Sequence, residues 1–170
     1  LEYLPNIERV ELIDCYKLKD ISALGKLKNL NSLNIRDARE LEDLTPLLNL
    51  ENLTKVFLYG CDKIRDLSVL RNNKKLEILT VPNCKNKVMD LTTFYNFDSL
   101  HEISLVNCYD DIDLNFLTNF KNLSHLLIMT SQSLTKIPQL DFVDNLVQLT
   151  IGQNNLNNFS NLNKLFNLKT

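Results

Sequence analysis

The stretch LTKVFLYGC at residues 53–61 has apolar residues at alternate positions and ends in a cysteine. Alternation with a period of two predicts a short β-strand that buries one face. The same nine-residue pattern occurs at residues 7–15, 30–38, 76–84, 100–108, 123–131 and 146–154. Neighbouring copies are 23 or 24 residues apart. The sequence therefore predicts seven stacked units with one shared architecture.

A second pattern follows the strands, in the segments that must return the chain to the start of the sheet. It reads Asp, then Leu or Ile, then Ser, Thr or Asn, and it includes DISAL (20–24), DLTPL (43–47) and DLSVL (66–70). We expect Ser22, Thr45 and Ser68 to accept backbone N–H bonds at the start of a short helix or 3₁₀ turn. The preceding Asp can either cap in the same way or join neighbouring turns.

The template L-x-x-L-x-L-x-x-(C/N/small) resembles that of leucine-rich repeat proteins over essentially the whole chain, and D-[LI]-[ST]-x-L resembles the short-repeat, internalin-like branch. The resemblance implies an α/β fold: a right-handed solenoid with a parallel sheet on the concave face and short helical, 3₁₀ or extended returns on the convex face. We expect residues 1–170 to form a single domain of about seven repeats, incomplete at both ends and part of a longer chain. The 23-residue unit is slightly long for the branch, and Cys often replaces the usual Asn.

The four cysteines occupy one position of the template. In chain order this column reads Cys15, Ala38, Cys61, Cys84, Cys108, Ser131 and Asn154. The resemblance implies that the column points inward and bonds backbone groups of the turn after each strand, so we interpret it as a reduced structural ladder. A disulfide between neighbours and a metal or catalytic role are less favoured. The gaps of 46, 23 and 24 residues do not match metal-binding pairs, and His101 and His125 lie in no partner motif.

The residues between the buried leucines are predicted to face solvent on the concave sheet. They include an apolar group flanked by cations, and exposed apolar patches with a charged margin are typical of protein-binding surfaces. The predicted contacts are Arg36, Lys55, Phe57, Tyr59, Ile78, Pro82, Val106, Leu127 and Met129. Two alternatives stay open: lateral packing between strands, and a ligand that is not a protein.

These patterns predict a non-catalytic module that binds a protein partner of unknown identity on its concave face. The alternatives are a targeting arm of a multidomain enzyme or complex, and a carbohydrate- or lipid-binding surface domain. The formal net charge of −2, without long runs of one sign, does not favour nucleic acid, and no apolar stretch is long enough for a membrane helix. No cofactor, metal or catalytic motif is recognised, and Asp110, Asp111 and Asp113 are interpreted as a solvated turn.

The sequence leaves the compartment and the assembly state open. The resemblance implies a bacterial surface or secreted protein, whereas free thiols favour a reducing compartment such as the cytoplasm. We expect a monomer, or weak self-association through uncapped ends, because a repeat array exposes apolar edges where no cap covers them.

Overall fold

The computed structural model describes residues 6–82, 97–108, 114–130 and 145–152, together with residues 135, 140 and 157. Within these residues, seven strands form one sheet in chain order, and every neighbouring pair is parallel. The strands are β1 (Arg9–Leu12), β2 (Ser32–Arg36), β3 (Lys55–Tyr59), β4 (Ile78–Val81), β5 (Glu102–Cys108), β6 (His125–Thr130) and β7 (Gln148–Gly152). This is the architecture that the repeat predicts.

The register of the sheet equals the period of the sequence. Val10 pairs with Leu33, and Leu33 pairs with Val56, which lies 23 residues further along the chain. Equivalent side chains therefore stack in straight columns from strand to strand. The inward columns form the core: Leu33, Ile35, Val56 and Leu58 are all 0% exposed. Removing this apolar area from water is the main force that holds neighbouring repeats together.

The described returns on the other side of the core contain short 3₁₀ helices. They are η1 (Ser22–Lys26), η2 (Thr45–Leu47), η3 (Ser68–Asn72) and η4 (Asn115–Asn119). Pro46 lies in the first turn of η2, where a missing N–H removes no helical hydrogen bond. Each of the four helices buries one leucine of the D-[LI]-[STN]-x-[LF] pattern: Leu24, Leu47, Leu70 and Leu117.

Aspartate, and not the Ser/Thr hydroxyl, caps three of these helices. Its Oδ1 accepts the backbone N–H two residues later, at 2.7 Å in each case, in the pairs Asp20–Ser22, Asp43–Thr45 and Asp66–Ser68. The expectation that Ser22, Thr45 and Ser68 would accept the capping bonds is therefore wrong. A carboxylate is a stronger acceptor than a hydroxyl, and an Asp two residues before the donor closes this turn without strain.

Asparagine side chains link successive returns. Asn52, Asn122 and Asn145 each donate from Nδ2 to a main-chain oxygen 24 residues earlier. The acceptors are Lys28 O at 3.0 Å, Asp98 O at 2.8 Å and Lys121 O at 2.6 Å. Each of these asparagines precedes a leucine in the turn that leads into a strand, so the bonds join successive repeats at that edge of the sheet.

The turns after β1, β2 and β3 each contain a residue in the left-handed region, and β5 contains one next to its last residue. The φ angles are +57° for Asp14, +54° for Asp37, +65° for Gly60 and +57° for Asn107. Glycine, asparagine and aspartate are the residues that adopt this conformation most readily. This position was not recognised in the sequence, although Gly, Asn or Asp occupies it in the first five repeats and would have identified it.

Candidate functional site: the concave face

The concave face is the surface formed by the outward side chains of β1–β7, in three columns that cross the strands. The first column includes Lys55 and Ile78, which pair directly, and the third includes Arg36 and Tyr59, which also pair directly. In the middle column, Thr80 pairs with Ser104 and Ser104 pairs with Leu127. The register therefore places the three columns side by side on one continuous surface.

Most of the predicted contact residues are accessible. Arg36 is exposed, and Lys55, Phe57, Tyr59, Ile78, Val106, Leu127 and Met129 are partly exposed. Pro82 is buried, so it cannot contact a partner in this conformation and does not belong to the accessible surface. The partial burial of the others shows that they also pack sideways against their neighbours, as adjacent side chains on one sheet face do.

The centre of the concave face has small polar residues between large apolar ones. Thr80 is 0% exposed and Ser104 is 1% exposed. Phe57 follows Val56, whose strand partner Leu79 precedes Thr80, and Leu127 lies beside Ser104 on the following strand. The hydroxyl oxygen of Thr80 is buried and has no hydrogen-bond partner. The burial of this pair was not expected from the sequence, which predicted that the whole middle column would face solvent.

Arg36 and Tyr59 form a fixed pair on the N-terminal part of the concave face. The guanidinium carbon of Arg36 lies 5.4 Å from the centroid of the Tyr59 ring. The Nε of Arg36 also donates to Asn34 Oδ1 at 3.3 Å. Stacking of guanidinium on a ring restricts the arginine side chain while leaving its terminal nitrogens as donors.

Met129 extends towards the last strand. A Cβ added at Gly152 would lie 3.0 Å from the sulfur of Met129. The absence of a side chain at Gly152 therefore leaves the space that the thioether occupies. Because a thioether is flexible and polarisable, Met129 can adapt to the shape of a contact.

A second exposed apolar group lies at the rim beside β1, and its Tyr16–Arg39 pair was not predicted from the sequence. Ile13 is 51% exposed and Tyr16 is 49% exposed. The guanidinium carbon of Arg39 lies 5.2 Å from the Tyr16 ring centroid. The Tyr16 hydroxyl donates to Asp14 Oδ1 at 3.0 Å, and this bond raises the pKa of Tyr16. Tyr16 and Arg39 follow the ladder column by one residue, outside the three columns considered.

Two cysteines of the column, Cys15 and Cys61, have described side chains, and they follow β1 and β3. Cys61 is 0% exposed, and its sulfur lies 3.7 Å from Ile35 O and 3.6 Å from Tyr59 O. Burial raises the pKa of this thiol to about 11. Cys15 is partly exposed and donates to Ile13 O at 3.5 Å, and both thiols are free.

The structure describes only some of the other members of this column. Ala38 is fully buried. Cys84, Ser131 and Asn154 lie outside the described residues, as does the side chain of Cys108. Asp110, Asp111 and Asp113 also lie outside them. In the part of the chain that the structure covers, no three His, Cys, Asp or Glu residues form a group that could hold a metal ion. No helix there combines the length and hydropathy that crossing a membrane requires.

Solved structures with this arrangement include three proteins of Listeria monocytogenes. Internalin C2 is 22% identical, with a TM-score of 0.70, over 95% of this chain and 69% of that chain. Internalin F is 27% identical, with a TM-score of 0.57, over 89% and 49% of the two chains. InlP is 20% identical, with a TM-score of 0.61, over 95% and 48%. The chain thus spans about half the length of the latter two.

The likeness is one of fold. Comparison of the sequence with protein-family models finds no match, and neither does comparison with curated proteins. The features that match are the parallel sheet in chain order and the short 3₁₀ returns. In its fold, the chain is therefore an internalin-like leucine-rich repeat solenoid.

Proposed function

We propose that the chain is a non-catalytic module that binds a protein partner on its concave face. The observation that carries the proposal is the accessible apolar group formed by Phe57, Tyr59, Ile78, Leu127 and Met129. The inward columns already supply the core, so the fold does not require large apolar residues at these outward positions. Repeat solenoids commonly use such extended concave surfaces for binding.

The sheet presents this surface in a preformed arrangement. The strands are fixed by the ladder of parallel pairs, and Arg36 is restrained by Tyr59 and Asn34. A rigid surface loses little conformational entropy on binding, so a few buried anchors can give useful affinity. Phe57, Tyr59 and Leu127 are the expected anchors, because aromatic and large apolar side chains account for much of the energy of such contacts.

Affinity capture with matched variants tests this function. The wild-type chain is compared with the triple variant Phe57→Ser/Tyr59→Ser/Leu127→Ser and with a control, Lys28→Ser/Lys75→Ser/Lys121→Ser, altered only at exposed positions of the returns. All three must show the same circular dichroism. We expect one protein to be retained by the wild type and the control and lost from the concave variant. Equal retention by all three, or no retention, would contradict the proposal.

A further inference from the structure

Charge is distributed unevenly over the concave face. The outward columns of β1–β3 carry three cations, Arg9, Arg36 and Lys55, and one carboxylate, Glu11. Among the residues that the structure describes, none of these three cations takes part in an ion pair. The same columns of β4–β7 carry one formal charge, that of Glu102. The N-terminal half of the concave face therefore has a surplus of two positive charges, three minus one.

Two carboxylates that follow Arg36 in the sequence are engaged by other cations. Asp37, its neighbour in sequence, lies 3.7 Å from the guanidinium of Arg39. Glu40 is held by Lys63 at 2.7 Å. The groups that do fix Arg36, the Tyr59 ring and the Asn34 amide, are both neutral. Arg36 is thus held in place by neutral groups that do not compensate its charge. A guanidinium in this position can bind a carboxylate of another molecule.

The geometry of the sheet sets the spacing of the two central cations. Tyr59 is the strand partner of Arg36, and Lys55 lies four residues before Tyr59 on β3. At roughly 3.3 Å per residue, the two cations are about 13 Å apart along the strand direction. Phe57 lies midway between them on the same face. The surface therefore presents a cation, an aromatic ring and a second cation in a row.

We propose that the occupant of this half of the concave face is an acidic segment of a protein, a specification that rests on the proposed function. One carboxylate pairs with Arg36, a second pairs with Lys55 about four extended residues away, and an apolar side chain between them packs on Phe57. The flanking Tyr59 and Ile78 favour a polypeptide over a sulfated polysaccharide, because a polypeptide can pack a large apolar side chain on them, whereas a heavily sulfated sugar offers only small C–H faces.

A random twelve-residue peptide display library provides the probe. It is selected on the wild-type chain, on the charge-reversed variant Arg36→Glu/Lys55→Glu, and on a control, Lys28→Glu/Lys121→Glu, which makes the same charge change at exposed positions of the returns. We expect the wild type and the control to enrich Asp or Glu several-fold beside an apolar residue. The charge-reversed variant should enrich Lys or Arg, and should bind the wild-type peptides at least about tenfold more weakly.

The outcomes separate this proposal from the broader one. Enriched peptides without acidic residues, or the same peptides on the charge-reversed variant, would overturn the acidic occupant while leaving a concave binding surface intact. Wild-type peptides that bind the Phe57→Ser/Tyr59→Ser/Leu127→Ser variant equally well would overturn concave binding itself. If a heparin oligosaccharide binds as tightly as the best peptide, and independently of Phe57, the occupant is a polyanion and not a protein segment. Failure to enrich any peptide counts against a short acidic segment. The capture experiment then decides whether the concave face binds a protein.

Discussion

Asn73 donates from Nδ2 to the main-chain oxygen of Leu50 at 2.7 Å, yet its own side-chain oxygen is buried without a partner. Asn73 is 0% exposed. Its equivalents in other repeats are apolar: Leu27, Leu50, Phe97 and Phe120. Leu50 O also accepts the N–H of Leu53 at 3.1 Å, so it keeps a partner without the asparagine.

Replacing Asn73 by leucine should therefore stabilise the chain. The change removes an unpartnered buried oxygen and adds apolar surface to the core, and we expect a gain of roughly 1 kcal/mol in the free energy of unfolding. Urea denaturation followed by circular dichroism measures it. The reverse change at the preceding repeat, Leu50→Asn, should cost about 3 kcal/mol. A loss of stability in Asn73→Leu would mean that the bond to Leu50 outweighs the orphaned oxygen.

Substitutions at two adjacent positions of β3, one on each face, should affect stability and binding differently. Leu58 is 0% exposed, and Leu58→Ala should cost about 3 kcal/mol through the cavity it leaves. Tyr59 is partly exposed on the concave face, and Tyr59→Asp should change the free energy of unfolding by less than about 1 kcal/mol while abolishing partner capture. Global unfolding of Tyr59→Asp would place the ring in structural packing instead.

The aspartate caps predict a pH dependence of stability. The hydroxyl and backbone N–H of Thr45 lower the pKa of Asp43, and the backbone N–H of Ser22 does the same for Asp20. Because the folded pKa is depressed, the stabilisation is present above the ordinary value of 3.8 and is lost as the pH falls through the folded pKa. Asp43→Ala should therefore be less stable than wild type at pH 7, with the difference shrinking in acid. Glu51→Ala, an exposed turn position, serves as the control and should show no such change.

The Cys61 thiol predicts a loss of stability as the pH rises, the opposite of the aspartate effect. Burial raises its pKa from 9.0 to about 11, so the thiol is neutral in the folded chain over this range. The stabilisation from this neutral thiol is fully present below pH 9.0, and the free energy of unfolding falls by roughly 3 kcal/mol as the pH rises towards 11. Cys61→Ala should lack this part of the alkaline decline in a denaturation series.

Reactivity provides an independent test of the same thiol. In native protein at pH 8, iodoacetamide should label Cys15 at least about tenfold faster than Cys61, as peptide mass mapping would show, because only an accessible thiolate reacts. Equal rates would contradict the buried position of Cys61.

The fold was predictable because a single period determines it. Once Val10, Leu33 and Val56 recur every 23 residues, the strand register and the inward columns follow from stacking alone. The exposure of individual side chains on the concave face did not follow from the period, because it depends on the size of neighbouring side chains. Pro82 and Thr80 are buried there, although their positions in the repeat predicted exposure.

Local geometry also decided features that the repeat pattern left open. Aspartate could cap or join turns, and only the 2.7 Å bond to the N–H of Thr45 distinguishes these roles for Asp43. The rim pair of Tyr16 and Arg39 depends on side-chain rotamers, which a repeat template does not encode.

Photo-crosslinking tests the central claim, that the concave face is the binding surface, most directly. p-Benzoylphenylalanine replaces Phe57 in one protein and, as a matched control, Phe116 of η4 in another, since both rings are partly exposed. Each protein is irradiated in a lysate that contains the captured partner. We expect a crosslinked adduct from position 57 and none from position 116. An adduct from position 116 alone, or equal adducts from both positions, would contradict binding on the concave face.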